Sequence, residues 1–272
     1  METLVLPGCG PLCIAQLGAL HGLRERGELR ALKHVICASG GALAWLAYTT
    51  GMGLEHWQAL LERWTPVFDP TLLPATWGVL TEQSQLEITR LAESAVCAHT
   101  GLSPGFTFAD LHARYPLRFT VIATDVERAA PAAFDHETHP TAPVFDAVSA
   151  SVAIPFVFRP IQWAGRLYAD GELVLWSALC AFGDPRTMGA VTVSTAARET
   201  PVANAHLWRY ASAILSTIFH QHYDLYRHGL HRQHTCEVHV AEAHRISLKP
   251  SPECLRTLYA TGLAAAHARD RE

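Results

Sequence analysis

At 272 residues, 49% hydrophobic and 17% charged, the chain is long enough to bury a full α/β core and is read as a single domain over residues 1–272. Its net charge of −4 is spread without runs, so it carries neither a nucleic-acid footprint nor a polybasic membrane anchor. The seven cysteines, odd in number and scattered, form no secreted disulfide framework and no paired C-x-x-C metal motif, which points to a reducing compartment.

The predicted elements alternate strand and helix, the pattern of a mostly parallel sheet covered on both faces. Leu4–Leu6 is the first strand, followed by a Gly-rich turn and a helix from Ile14 to about Arg26 that Gly27 ends. Val35–Ile36 is the second strand, and a helix from Ala42 to Thr50 ends at Gly51. Residues 3 to 20 carry no formal charge, yet Glu2 precedes them, no basic region leads in, and Pro7, Gly8, Gly10 and Pro11 break them. They are therefore read as strand, turn and helix, not as a signal peptide or membrane span. Amphipathic helices are expected over Leu54–Trp64 and Gln83–Ala98. The connection between them is rich in Pro and aromatics (Pro66, Phe68, Pro70, Pro74, Trp77) and reads equally as an entry lid or as a packed connector.

Thr107 and Asp110 have the spacing of a capping box ahead of a short helix to Tyr115. Leu117–Val126 reads as a core strand and Pro143–Ser151 as a helix. Phe156–Trp163 and Arg166–Ala169 form a predicted hairpin through Ala164-Gly165 that delivers Asp170 at its end. Val191–Val193 is a further strand, Leu207–Tyr226 a long helix, Cys236–Val240 a late strand, and Pro252–Ala268 a closing helix. His228, His231 and His234 share a helical face only if a helix runs past Gly229, and no acidic residue or cysteine stands in zinc-ligand register with them. His136-Glu137-Thr138-His139 is one residue short of the zincin spacing, so no metal and no cofactor is expected.

Three turns carry chemistry. Cys37-Ala38-Ser39-Gly40-Gly41 places a serine between a strand end and a helix that begins at a glycine pair, the context of a nucleophile elbow, with Cys37 where the G-x-S-x-G pattern has its first glycine. Gly8-Cys9-Gly10 is a strand-to-helix turn of the kind that presents backbone N–H groups to an anion. Arg166-Leu167-Tyr168-Ala169-Asp170-Gly171 ends a short strand on a carboxylate. Taken alone, Ser39 is also a natural helix N-cap and Asp170 a natural turn residue.

With these pieces in this order, the chain resembles the patatin-like phospholipases, lipid acyl hydrolases with a Ser-Asp dyad. Phe106–Leu111, Leu117–Val126 and the helix-then-proline segment Ala147–Phe158 extend the resemblance over nearly the whole chain. It implies a three-layer α/β/α fold, Ser39 as nucleophile, Asp170 as its base, and the amides of Gly8, Cys9 and Gly10 as the oxyanion hole. Asp125 and Asp146 are lesser competitors for the base. The implied partner is a phospholipid or other acyl-ester lipid at a membrane or droplet surface, met by a cytoplasmic protein peripheral to it, with no transmembrane segment and no nucleic acid.

The chain departs from the family pattern at Cys9, Pro11, Leu12, Cys13 and Cys37. It departs again at Glu172, which stands where a second glycine usually follows the Asp-Gly pair and sets another carboxylate beside the base. An inactive lipid-binding or protein-interaction module therefore stands as the alternative. A conventional triad using His234 or His239 is disfavoured, because Ser39 lies too early to be preceded by the usual strands.

Overall fold

The computed structural model describes residues 1–63, 82–195, 207–241 and 250–269, so the connection carrying Pro66, Phe68, Pro70, Pro74 and Trp77 lies outside the described residues. The strands are β1 (Thr3–Leu6), β2 (His34–Ala38), β3 (Arg118–Asp125), β4 (Ala130–Phe134), β5 (Ile161–Trp163), β6 (Arg166–Ala169), β7 (Gly189–Thr195) and β8 (Thr235–Val240). They join in one sheet of order β5-β6-β3-β2-β1-β7-β8, with β4 also paired to β3. The pairs β1–β2, β2–β3, β1–β7 and β7–β8 are parallel, whereas β4 and β6 run antiparallel to β3.

The helices are α1 (Cys13–Glu25), α2 (Gly40–Thr50), α3 (Leu54–Arg63), α4 (Glu82–Thr100), α5 (Phe108–Arg114), α6 (Val144–Ser151), α7 (Leu175–Leu179), α8 (Leu207–Gly229) and α9 (Pro252–His267). They cover both faces of the sheet. Because successive side chains in a strand alternate sides, Leu4, Leu6, Val35 and Cys37 join one core with residues of α1, α2 and α9, while Val5, Ile36, Ala38 and Ile122 join another with α7 and α8. Central parallel strands buried on both faces read as unbroken apolar runs, as β1 and β2 do.

The structure differs from the sequence expectation at α7, which the predicted elements do not include, and at two further places. Strand β4 has the sequence Ala-Pro-Ala-Ala-Phe and lacks the β-branched residues that mark strands; its pairing to β3 supplies what propensity does not. The arm of the hairpin read as Phe156–Trp163 is a strand only over Ile161–Trp163. Phe156 takes a positive φ of 66° and the prolines at 155 and 160 interrupt pairing. The Thr107–Asp110 capping box is present in both directions.

The C-terminal helix docks where bulk is absent. A Cβ on Gly18 would stand 2.1 Å from the carbonyl oxygen of Tyr259, and one on Gly262 1.8 Å from that of Ala15, so α1 and α9 approach backbone to backbone. No helix among the described residues is long and apolar enough to cross a membrane.

Candidate active site

The parallel pairing of β1 with β2 brings the Gly8 turn and the Ser39 elbow side by side at the carboxyl ends of adjacent strands. Ser39 sits at φ 49°, ψ −129°, immediately before α2. That conformation is strained for a residue with a Cβ and projects the side chain off the sheet. Glycines make the turn fit: a Cβ on Gly41 would lie 2.1 Å from the Leu6 carbonyl oxygen, and one on Gly40 would lie 2.6 Å from the Gly10 carbonyl oxygen. A glycine at position 39 relieves the strain whereas alanine keeps it. Ser39→Gly is therefore expected to be more stable than Ser39→Ala by roughly 1 kcal/mol after its entropy cost, about 2–4 °C in Tm by calorimetry.

Ser39 Oγ donates to Asp170 Oδ2 at 2.7 Å. The acid is held tightly: its N–H donates to the Ala153 carbonyl at 3.0 Å, and its own carbonyl accepts from Thr124 Oγ1 at 2.6 Å. Asp170 Oδ1 accepts from the Glu172 N–H at 2.8 Å. On the serine side, the Ser39 N–H donates to Ser151 Oγ at 2.8 Å, and Ser151 Oγ donates to the Ile122 carbonyl at 2.6 Å. Gln16 Nε2 donates to the carbonyls of Pro7 (2.8 Å) and Val191 (3.0 Å), which ties the Gly8 turn to β7. Thr124, Ser151 and Gln16 were not singled out in the sequence. Ser151 lies within the helix-then-proline segment, but no motif distinguishes any of the three from an ordinary buried polar residue.

Ser39 and Asp170 are 3% and 1% exposed. Burial lifts the Asp170 carboxyl to about 7, the Glu172 carboxylate adds to that lift, and the hydrogen bonds from Ser39 and the Glu172 N–H oppose it. Burial also pushes the Cys13 thiol up to about 12 and Cys37 well above its ordinary value, so these thiols stay protonated and pack as small apolar groups.

The remaining sequence candidates sit elsewhere. Asp125 pairs with Arg166 at 3.1 Å, and Asp146 lies in the first turn of α6. His239 Nδ1 bonds Ser194 Oγ at 2.8 Å and His234 stacks on His231, so neither reaches Ser39. Helix α8 ends at Gly229, and His228, His231 and His234 share no helical face. Among the described residues, no group of three His, Cys, Asp or Glu side chains is placed to hold a metal ion.

Ser39 lies between two cavities. One is a cleft of about 580 Å³ whose far wall includes Thr192, Ser194, His220, Tyr223, Asp224 and His239. The other is an apolar pocket of about 100 Å³ bounded by Leu43, Trp57, Leu61, Ile88, Val152 and Phe158. Glu172 is turned toward the Gly8 turn and not away from it: its Oε2 accepts the Gly8 N–H at 2.6 Å.

A buried Ser-Asp pair beneath a glycine turn thus lies at the carboxyl ends of parallel strands, in a sheet covered by helices on both faces. The chain belongs to the patatin-like phospholipase family, whose model matches residues 4–175. The match stops at the start of α7, short of the near-complete resemblance read from the sequence. Uncharacterized NTE family proteins of Mycobacterium tuberculosis and Mycobacterium bovis are 27% identical over 176 residues, covering 63% of this chain, which spans only 42% of their length. VipD from Legionella pneumophila shares the fold, with a TM-score of 0.54 and 17% identity over 97% of this chain and 66% of that one.

Proposed function

We propose that the protein is a phospholipase A-type lipid acyl hydrolase that works through Ser39 and Asp170. The observation that carries this reading is the 2.7 Å hydrogen bond from Ser39 Oγ to Asp170 Oδ2 at the junction of a small apolar pocket and a larger cleft whose wall carries His220, Asp224 and His239. Ser39 Oγ attacks the ester carbonyl carbon while its proton passes to Asp170 Oδ2. The N-terminus of α2 favours developing negative charge at the elbow, and the Gly8, Cys9 and Gly10 amides receive the carbonyl oxygen. The alcohol leaves with the proton from Asp170. Water, deprotonated by Asp170, then attacks the acyl-Ser39 carbonyl, and as the acyl–Oγ bond breaks Asp170 returns that proton to Ser39 Oγ, releasing the fatty acid and restoring the pair. The acyl chain lies in the apolar pocket and the polar part of the lipid in the cleft.

The pairing of β7 with β8 and the contact of α1 with α9 support residues 1–272 as one domain, with substrate met at a lipid surface. The inactive binding module is the second reading, favoured by the hold of Glu172 on Gly8. A fluorophosphonate probe separates the two. The hydrolase is expected to take one probe per chain on Ser39, located by peptide mass spectrometry, and to release fatty acid from phospholipid vesicles. A folded chain that does neither is the binding module.

A further inference from the structure

The side chain of Glu172 ends on an amide that the proposed reaction requires. Its carboxylate is buried, with Oε2 accepting the Gly8 N–H at 2.6 Å and Oε1 accepting the Tyr226 hydroxyl at 2.7 Å. A carboxylate and a tetrahedral oxyanion are both acceptor-only anions competing for one donor, and a charge-assisted contact of this length is among the stronger hydrogen bonds. While Glu172 holds Gly8, the developing oxyanion cannot be received there. Glu172 also lines the cleft beside Ser39, so an incoming ester meets it directly.

A second observation marks where the carboxylate goes. His222 Nδ1, on α8, is buried and makes no hydrogen bond, and it stands 3.8 Å from Glu172 Oε1. A shift of the carboxylate toward it closes this loose ion pair to hydrogen-bond distance as it frees the Gly8 amide. The Glu172 carboxylate raises the pKa of His222, which favours the charged imidazolium partner. The ionisable groups around the carboxylate are Asp170, Cys9, His222 and Tyr226.

We propose that Glu172 is a gate on the oxyanion site, capping the Gly8 N–H when the cleft is empty and withdrawing onto His222 when an acyl ester binds. The gate rests on the Ser39–Asp170 hydrolase reading and deepens it, since the residue that departs from the family pattern then limits the rate. The bound ester must supply the free energy that breaks the Glu172–Gly8 contact, which makes the unliganded chain a slow enzyme toward small soluble esters.

The test compares the wild-type chain with Glu172→Ala, Glu172→Gln, His222→Leu and the double variants Glu172→Ala/Ser39→Ala and Glu172→Ala/His222→Leu, using p-nitrophenyl butyrate turnover, the fluorophosphonate probe and the amide NMR resonance of Gly8. Glu172→Ala is expected to raise kcat about tenfold or more with a smaller change in KM, and Glu172→Ala/Ser39→Ala to lose that gain. Glu172→Gln, which keeps the shape, guards against misfolding of the alanine variant and is expected to give a smaller rise. The Gly8 proton resonance is expected to move upfield in both. His222→Leu is expected to slow the wild type yet leave Glu172→Ala unaffected when combined with it. Ser39-dependent turnover no faster in folded Glu172→Ala and Glu172→Gln than in wild type overturns the gate and leaves the hydrolase standing. An unmoved Gly8 resonance also overturns the gate. Folded variants that neither turn over the ester nor take the probe overturn the hydrolase reading, and the gate with it.

Discussion

Ser39→Ala is expected to lower kcat for p-nitrophenyl butyrate roughly ten-thousandfold or more, with KM changed by less than about threefold. The reason is chemical, not structural: among the described residues no other side-chain hydroxyl is hydrogen-bonded to the Asp170 carboxylate, and the cleft and apolar pocket beside Ser39 do not depend on one oxygen atom. What survives is whatever the amides of the Gly8 turn and substrate binding contribute against water, which in serine hydrolases is itself a residual rate enhancement. Asp170→Asn is expected to fall nearly as far. An amide cannot accept the serine proton, and its NH2 group, turned toward Ser39, donates where the carboxylate oxygen accepted. Steady-state kinetics on both variants, at matched circular dichroism, decides the point; a loss under tenfold in Ser39→Ala removes Ser39 as nucleophile.

The same Asp170→Asn change is expected to stabilise the protein as it disables it, by an amount that grows as pH rises above about 4 and levels off above about 7. The buried carboxyl sits at about 7 in the folded chain against about 4 when unfolded. Between those values the folded state keeps the proton and the unfolded state releases it, so the folded state binds more protons and stability falls as pH rises. The contribution is fully present below about pH 4, is lost progressively up to about pH 7, and stays lost above. Integrated over the shift, the loss is on the order of 4 kcal/mol, and asparagine does not suffer it. Urea unfolding of both proteins is expected to show the variant gaining on wild type between pH 5 and pH 8. A difference that does not change with pH would place the titration elsewhere. Activity moves the opposite way: as the base must be ionised to take the serine proton, kcat/KM is expected to rise through about pH 7 as a single ionisation.

These two effects are one trade. A carboxylate at the surface would not be raised toward the working pH, and a buried one held near neutrality costs stability whenever it is charged. Thr124, Ala153 and Ser151 keep that unfavourable arrangement in place by fixing the backbone on either side of the pair.

The features legible from the residues alone are those that depend on local backbone chemistry. Glycines at 8, 40 and 41 announce turns where a side chain would collide with Leu6, Gly10 or Ser39, and the capping box at Thr107 and Asp110 marks a helix start from four residues alone. Apolar runs at β1 and β2, broken by those turns, mark a parallel strand-turn-helix framework with Ser39 at its elbow, while Asp170 enters as the base through the resemblance to the patatin-like family. Strand β4 escaped, since its pairing to β3 and not its composition makes it a strand. The direction of Glu172, the hydrogen-bond geometry between Ser39 and Asp170, and the supporting roles of Ser151, Thr124 and Gln16 come from the folded chain. Each of those depends on contacts between elements far apart in the chain. The partner of a buried polar group is set by which strands lie side by side, and neither composition nor spacing encodes that.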